Sequence, residues 1–172
     1  MTTPGKKFIV VGGGIGGLAA AVALSQQGVH VTVLEQAAQL GEIGAGVQLG
    51  PNAFAALDAL GVGETARKRA VFTERLIMMD AVDGSEVGSF PVGQAFRDRF
   101  QNPYAVIHRA DIHTSMLEAT QGSNLIQVET STKVVSVSQD DQGVTAVDQN
   151  GRIFKADALV CLLYTSPSPR DS

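Results

Sequence analysis

The sequence predicts an α/β fold: a parallel sheet with a crossover helix, joined to an additional antiparallel β portion. Three observations carry this prediction. Lys6–Val11 is short, apolar and β-branched, the pattern of a buried strand. The glycine-rich turn Gly12-Gly13-Gly14-Ile15-Gly16-Gly17 follows and opens a helix rich in Ala and Leu. Val29–Glu35 then reads as a second strand. Strand, helix and strand in that order form a βαβ unit, with parallel pairing and a right-handed crossover.

The first helix is expected over Ile15–Gln27, with Gly28 as its stop. Gln36–Gly50 reads as a glycine-rich loop. Pro51-Asn52 opens a helix to Leu60, which Gly61 ends. Glu74–Asp80 and Glu86–Phe90 read as paired strands around an Asp83-Gly84 turn. Val92–Phe100 holds a short helix, Pro103–Ile107 is extended, and Arg109–Thr120 is helical. Leu125–Val128, Lys133–Ser138 and Val144–Asp148 read as strands. Asn150-Gly151 is a hairpin turn leading to Ile153-Phe154. Ala158–Cys161 starts a further buried strand. No internal repeat is visible.

The bulk properties narrow the function classes. The chain has 172 residues, 44% of them hydrophobic and 17% charged, ordinary for a soluble globular protein able to bury a core. A net charge of -4 without long runs of one sign argues against a nucleic-acid partner, which needs concentrated positive charge. Cys161 is the only cysteine, so no internal disulfide forms. Phe8–Leu24 is apolar behind Lys6-Lys7, as in a signal peptide or anchor. Its glycines, its short length and the lack of a cleavage pattern favour the strand–turn–helix reading. The expectation is a cytoplasmic protein with no membrane partner and no metal ligand set; oligomeric state is left open.

The last residues depart from this pattern. Pro167 and Pro169 forbid a continued strand or helix. Cys161–Asp171 also reads, without a gap, as the in-frame translation of a transposon-type sequencing adapter. The expected organisation is therefore one truncated domain over 1–160 and a non-native tail over 161–172.

The turn has a chemical reading. In Gly12-x-Gly14-x-x-Gly17 the first glycine permits the tight bend, the second lets backbone approach a diphosphate, and the third lets the helix pack on the strand. The helix N-terminus then offers free N–H groups and partial positive charge to phosphate. Glu35 closes the second strand, where its carboxylate can accept ribose hydroxyls and where an acid disfavours a 2′-phosphate. Together these predict a Rossmann-like dinucleotide site. The motif alone leaves NAD and FAD both open, and with them an NAD-dependent dehydrogenase or a non-enzymatic dinucleotide-binding module.

Ala21 and Gly28 extend the pattern to GxGxxG-x3-A-x6-G, which resembles the FAD-binding signature of the glutathione-reductase-like fold. Further words follow: VLEQA, GEIGAGVQLGPNA at 41–53, ALGVGE, AFRDRF, and NPYAVIHRADIH at 102–113. With these the sequence resembles the class A flavoprotein aromatic hydroxylases over about Lys6–Val160. It is most similar to the 3-hydroxybenzoate 6-hydroxylases and looser in likeness to the salicylate hydroxylases; Ala95–His113 carries that preference.

The resemblance implies FAD as cofactor, with Gly12, Gly14, Ile15 and Gly17 at its diphosphate and Glu35 at its adenosine ribose. It implies that Arg109 contacts FAD from a helix start, that the Val134 backbone meets the adenine, and that Gln48 lies near the flavin. His108 and His113 read as packing or capping residues. NADH or NADPH would reduce the flavin transiently, and the reduced flavin would use O2 to hydroxylate a small aromatic acid, 3-hydroxybenzoate to gentisate. Catalytic residues are not assigned; family members continue past this strand with segments absent here, so the stretch itself is expected to be inactive.

Overall fold

Strands β1 (Lys7–Val11) and β2 (His30–Leu34) pair in parallel across helix α1 (Ile15–Gln26), as the sequence requires. The computed structural model describes residues 5–41 and 44–162. These separate into two units, one of residues 5–41 with 116–162 and the other of 44–115.

In the first unit a four-stranded sheet has the order β12-β1-β2-β8, with β8 at Ile126–Glu129 and β12 at Ala158–Cys161, all pairs parallel. An antiparallel meander accompanies it: β9 (Val134–Asp140), β10 (Gly143–Asp148) and β11 (Ile153–Ala156). The additional antiparallel β portion is therefore real and belongs partly to the same unit.

The strands are apolar on both faces because both faces are covered. Val10, Val31 and Val33 pack with Ala21 of α1. Ile9, Val11 and Leu34 pack instead with Ala146 of β10, beside Val134 and Phe154. Alternation along β1 thus sends one residue to the helix layer and the next to the meander. α1 ends as expected: Gly28 has φ +77 and donates to the Ser25 carbonyl at 2.9 Å. Cys161 closes β12, and the Leu162 N–H donates to the Val11 carbonyl at 3.0 Å. The expectation for the tail beyond that point, 163–172, lies outside the described residues, as do Glu42 and Ile43.

The second unit holds β3 (Gly46–Leu49), α2 (Pro51–Ala59), α3 (Gly63–Arg69), β4 (Val71–Phe72), β5 (Arg75–Met79), β6 (Glu86–Pro91), α4 (Gln94–Phe100), β7 (Ala105–His108) and the first part of α5 (Arg109–Gln121). Its sheet runs β3-β7-β4, antiparallel, beside a separate β5-β6 hairpin. Phe54, Leu57, Val62, Ala66, Val92, Ala105 and Ile107 are among its buried apolar residues. Arg67 ties the helices together. Its guanidinium donates to Asp58 at 2.8 Å and to the Asn102 side chain at 2.7 Å, and lies 4.9 Å over the Phe54 ring. The hydrogen bond from Arg67 holds the Asp58 carboxyl below the usual carboxylate range.

Two elements correct the sequence reading. The stretch expected to be loop throughout, Gln36–Gly50, contains β3, whose backbone pairs with β7. α3 was not anticipated; its sequence has no apolar stripe, and Glu64 in its first turn with Arg67, Lys68 and Arg69 in its last suit the helix dipole instead.

Candidate dinucleotide site

Gly12 turns the chain out of β1 with φ +110, a backbone region that side chains disfavour, and its N–H donates to the Leu34 carbonyl at 2.9 Å. A Cβ on Gly17 would fall inside the contact distance of the Gly12 carbonyl oxygen, so only glycine lets α1 start this close to the strand. Gly14 is the N-cap residue of α1 and Ile15 its first helical residue. No side chain caps this end, and its first turn carries no acidic residue. The free N–H groups of the first turn are left for another acceptor, and an anion suits them.

Glu35 follows β2 directly. One carboxylate oxygen accepts the Gly13 N–H at 2.6 Å and the other the Ala37 N–H at 2.8 Å. A carboxylate has roughly four acceptor positions, so both oxygens retain capacity for hydroxyl donors. The Glu35 backbone is pinned from the other side. Its N–H donates to the Glu129 carbonyl at 2.9 Å, and its carbonyl accepts the Thr132 N–H at 2.8 Å. The Ser131 N–H reaches the Ala37 carbonyl at 2.9 Å. The sequence reading missed this 130–132 segment. Locally it is only a polar loop, and its place beside Glu35 follows from β8 pairing with β2.

The first unit thus brings together Gly12, Gly14, Ile15, Gly17 and Glu35. Val134 stands in the same unit at the start of β9, half-buried against Ile9, Val11, Leu34 and Ala146. Gln48 and Arg109 belong to the second unit. Gln48 is exposed on β3 opposite Val106. Arg109 begins α5, its N–H 3.3 Å from the Ala45 carbonyl, and a Cβ on Gly44 would lie 3.0 Å from that of Arg109. His108 has a capping role: its Nδ1 accepts the Ala110 N–H in the first turn of α5 at 3.3 Å. His113 is buried, 3% exposed.

These features fit FAD at its adenosine diphosphate end: a cradle that a Cβ would fill, an uncapped helix start for phosphate, and a carboxylate with spare acceptor positions for ribose. No helix among the described residues is long and apolar enough to cross a membrane.

Comparison with known proteins agrees with this geometry. A family profile described as "FAD binding domain" matches residues 6–160. A 3-hydroxybenzoate 6-hydroxylase of Polaromonas naphthalenivorans is 58% identical over 152 residues, 88% of this chain and 38% of that protein. The 3-hydroxybenzoate 6-hydroxylase 1 of Aquipseudomonas alcaligenes is 45% identical over 90% of this chain and 39% of its own length. Among solved structures, Klebsiella pneumoniae HpxO complexed with FAD and uric acid superimposes with a TM-score of 0.75 at 28% identity, over 92% of this chain and 39% of that one. The chain spans under two fifths of the length of these two curated relatives.

Proposed function

The chain belongs to the FAD binding domain family, and from that premise we propose that it is the FAD-binding part of a flavin-dependent monooxygenase that hydroxylates a small aromatic acid, 3-hydroxybenzoate to gentisate. One observation carries the reading: the uncapped start of α1 and the Glu35 carboxylate flank one glycine turn, joined through the Gly13 N–H at 2.6 Å.

The residues have separate tasks. The backbone of Gly12, Gly14, Ile15 and Gly17 would hold the diphosphate without a counter-ion, because the helix start already supplies the positive end of a dipole. Glu35 would accept the ribose hydroxyls while its bonds to Gly13 and Ala37 fix its angle. The Val134 backbone is assigned to the adenine, Gln48 to the flavin side, and Arg109 to a contact with FAD from the start of its helix. When bound, FAD would supply the redox chemistry of the hydroxylation, with NADH or NADPH as electron donor and O2 as the source of the added oxygen. The protein contributes position and exclusion of water.

Substrate activation is assigned to the part of the relatives that this chain does not span. Residues 1–160 expressed alone should therefore lose most or all FAD on purification while still binding its adenosine diphosphate end weakly, and show no NADH oxidation stimulated by 3-hydroxybenzoate. Clear aromatic-stimulated turnover by that stretch would contradict this division of labour. The proposed setting is cytoplasmic, with neither membrane nor nucleic acid as partner.

A further inference from the structure

Beyond the glycine turn and Glu35, we propose that Arg152 is a positioning residue for the adenosine half of the cofactor, acting through the 130–132 segment. The inference rests on the FAD reading above, and nothing in the cofactor motif points to it.

Arg152 lies just past the β10–β11 turn, and its guanidinium is fixed although about half of its side chain, 47%, is exposed. Asp148, whose side chain is wholly shielded, organises it. One carboxylate oxygen accepts the backbone N–H groups of Asn150 and Arg152, each at 2.9 Å, and the other accepts Arg152 Nε at 2.7 Å. The Arg152 guanidinium also lies 5.4 Å over the Phe154 ring, and a second nitrogen reaches Glu129 at 3.6 Å. An exposed arginine usually gains little from a single ion pair, because holding its long side chain costs entropy. Here several partners share that cost.

The held guanidinium points at the site. One terminal nitrogen donates to the Thr132 hydroxyl at 2.6 Å, and that hydroxyl donates to the Thr130 carbonyl at 2.9 Å. Thr132 is 1% exposed, and its N–H is the one bonded to the Glu35 carbonyl. Between them Ser131 sits at φ +51, a left-handed conformation that a non-glycine residue adopts at a cost. The tight bend at 130–132, which borders Glu35 and leads into Val134, is therefore held by Arg152 from outside and by Glu35 and Ala37 from inside. Arg152 reaches Glu35 through Thr132 and would so set the wall against which ribose and adenine lie.

The test uses the 172-residue chain at micromolar concentration and ligand-observed NMR, with ADP and inorganic pyrophosphate as probes. Arg152→Ala should weaken ADP binding about tenfold, the scale of one charge-assisted hydrogen bond. It should reduce magnetisation transfer to the adenine and ribose protons and leave pyrophosphate binding unchanged. Arg152→Lys should recover part of the loss, and Thr132→Val should reproduce it. Unchanged ADP affinity in Arg152→Ala would overturn the proposal. Equal weakening of ADP and pyrophosphate would also overturn it, because a general loosening of the unit affects both. An unaltered chain that takes up pyrophosphate but not ADP would overturn it too. If the unaltered chain binds neither probe, the diphosphate reading itself fails, and this inference with it.

Discussion

The Glu35 carboxylate accepts the backbone N–H of Gly13 at 2.6 Å, tying the end of one parallel strand to the turn that leaves its neighbour. The same side chain thus shapes the turn and would receive the ribose. Glu35→Arg removes both acceptors and places a cation beside the Gly13 N–H; Glu35→Gln keeps the shape and loses the charge. In a protein that retains flavin, Glu35→Arg should strongly lower FAD content after purification, with Glu35→Gln between it and the unaltered protein. The bond to Gly13 adds a stability loss of about 1–3 kcal/mol for Glu35→Arg. Flavin absorbance and thermal denaturation read the two effects separately. Unchanged flavin content in Glu35→Arg would show that Glu35 is not a ligand.

Gly17→Ala should be among the most damaging single changes in the first unit. The added Cβ meets the Gly12 carbonyl oxygen, a backbone atom that cannot move without breaking the turn. A loss of about 3 kcal/mol or more is expected. Gly88→Ala on β6, where an added Cβ meets nothing within 4 Å, serves as the control and should be near neutral. Denaturant titration of both variants checks the contrast; equal stability of the two would mean the turn is not as tight as described.

The β1–turn–α1–β2 unit and Glu35 were legible because each rests on local chemistry: apolar β-branched runs, glycines where backbone must approach backbone, and an acid at a strand end. The first turn of α5 was legible too, since His108 supplies its own cap. β3 was not. Gly46-Val47-Gln48-Leu49 alternates weakly, and its partner β7 is distant in sequence. α3 was invisible because the Arg67–Asp58 pair stands in for an apolar stripe. The 130–132 segment could not be placed beside Glu35 without knowing that β8 follows β2 in the sheet.

Asp148 should give the first unit an acid-sensitive element. Burial alone would raise its carboxyl pKa. The Arg152 side chain and the N–H groups of Arg152 and Asn150 outweigh that effect and hold it below the usual carboxylate range. A carboxyl lowered on folding contributes stability that is present above its unfolded pKa and is lost as pH falls through the folded value. Stability should therefore decline as pH drops below about 4. Asp148→Asn should be less stable at neutral pH and show a flatter decline in that range. Parallel profiles for the two proteins in melting temperature against pH would exclude this role.

The β5-β6 hairpin should limit the solubility of the isolated chain. Ile77, Met78, Val87 and Phe90 are each at least half exposed on a two-stranded ribbon. A two-stranded ribbon that exposes apolar side chains on both faces favours association. Met78→Lys combined with Val87→Glu should raise the monomer fraction in size-exclusion chromatography without altering the first unit. An unchanged elution profile would mean that the hairpin does not drive association.

On this proposal the glycine turn and Glu35 hold FAD only once the rest of the protein is joined to residues 6–160. The most direct test joins residues 1–160 to the remaining C-terminal part of the Polaromonas naphthalenivorans relative and measures flavin content from the absorbance of the purified, folded protein. An equimolar FAD content, lost in the Glu35→Arg version, is the result expected. A folded, colourless protein, or one whose flavin content is indifferent to Glu35→Arg, would contradict it.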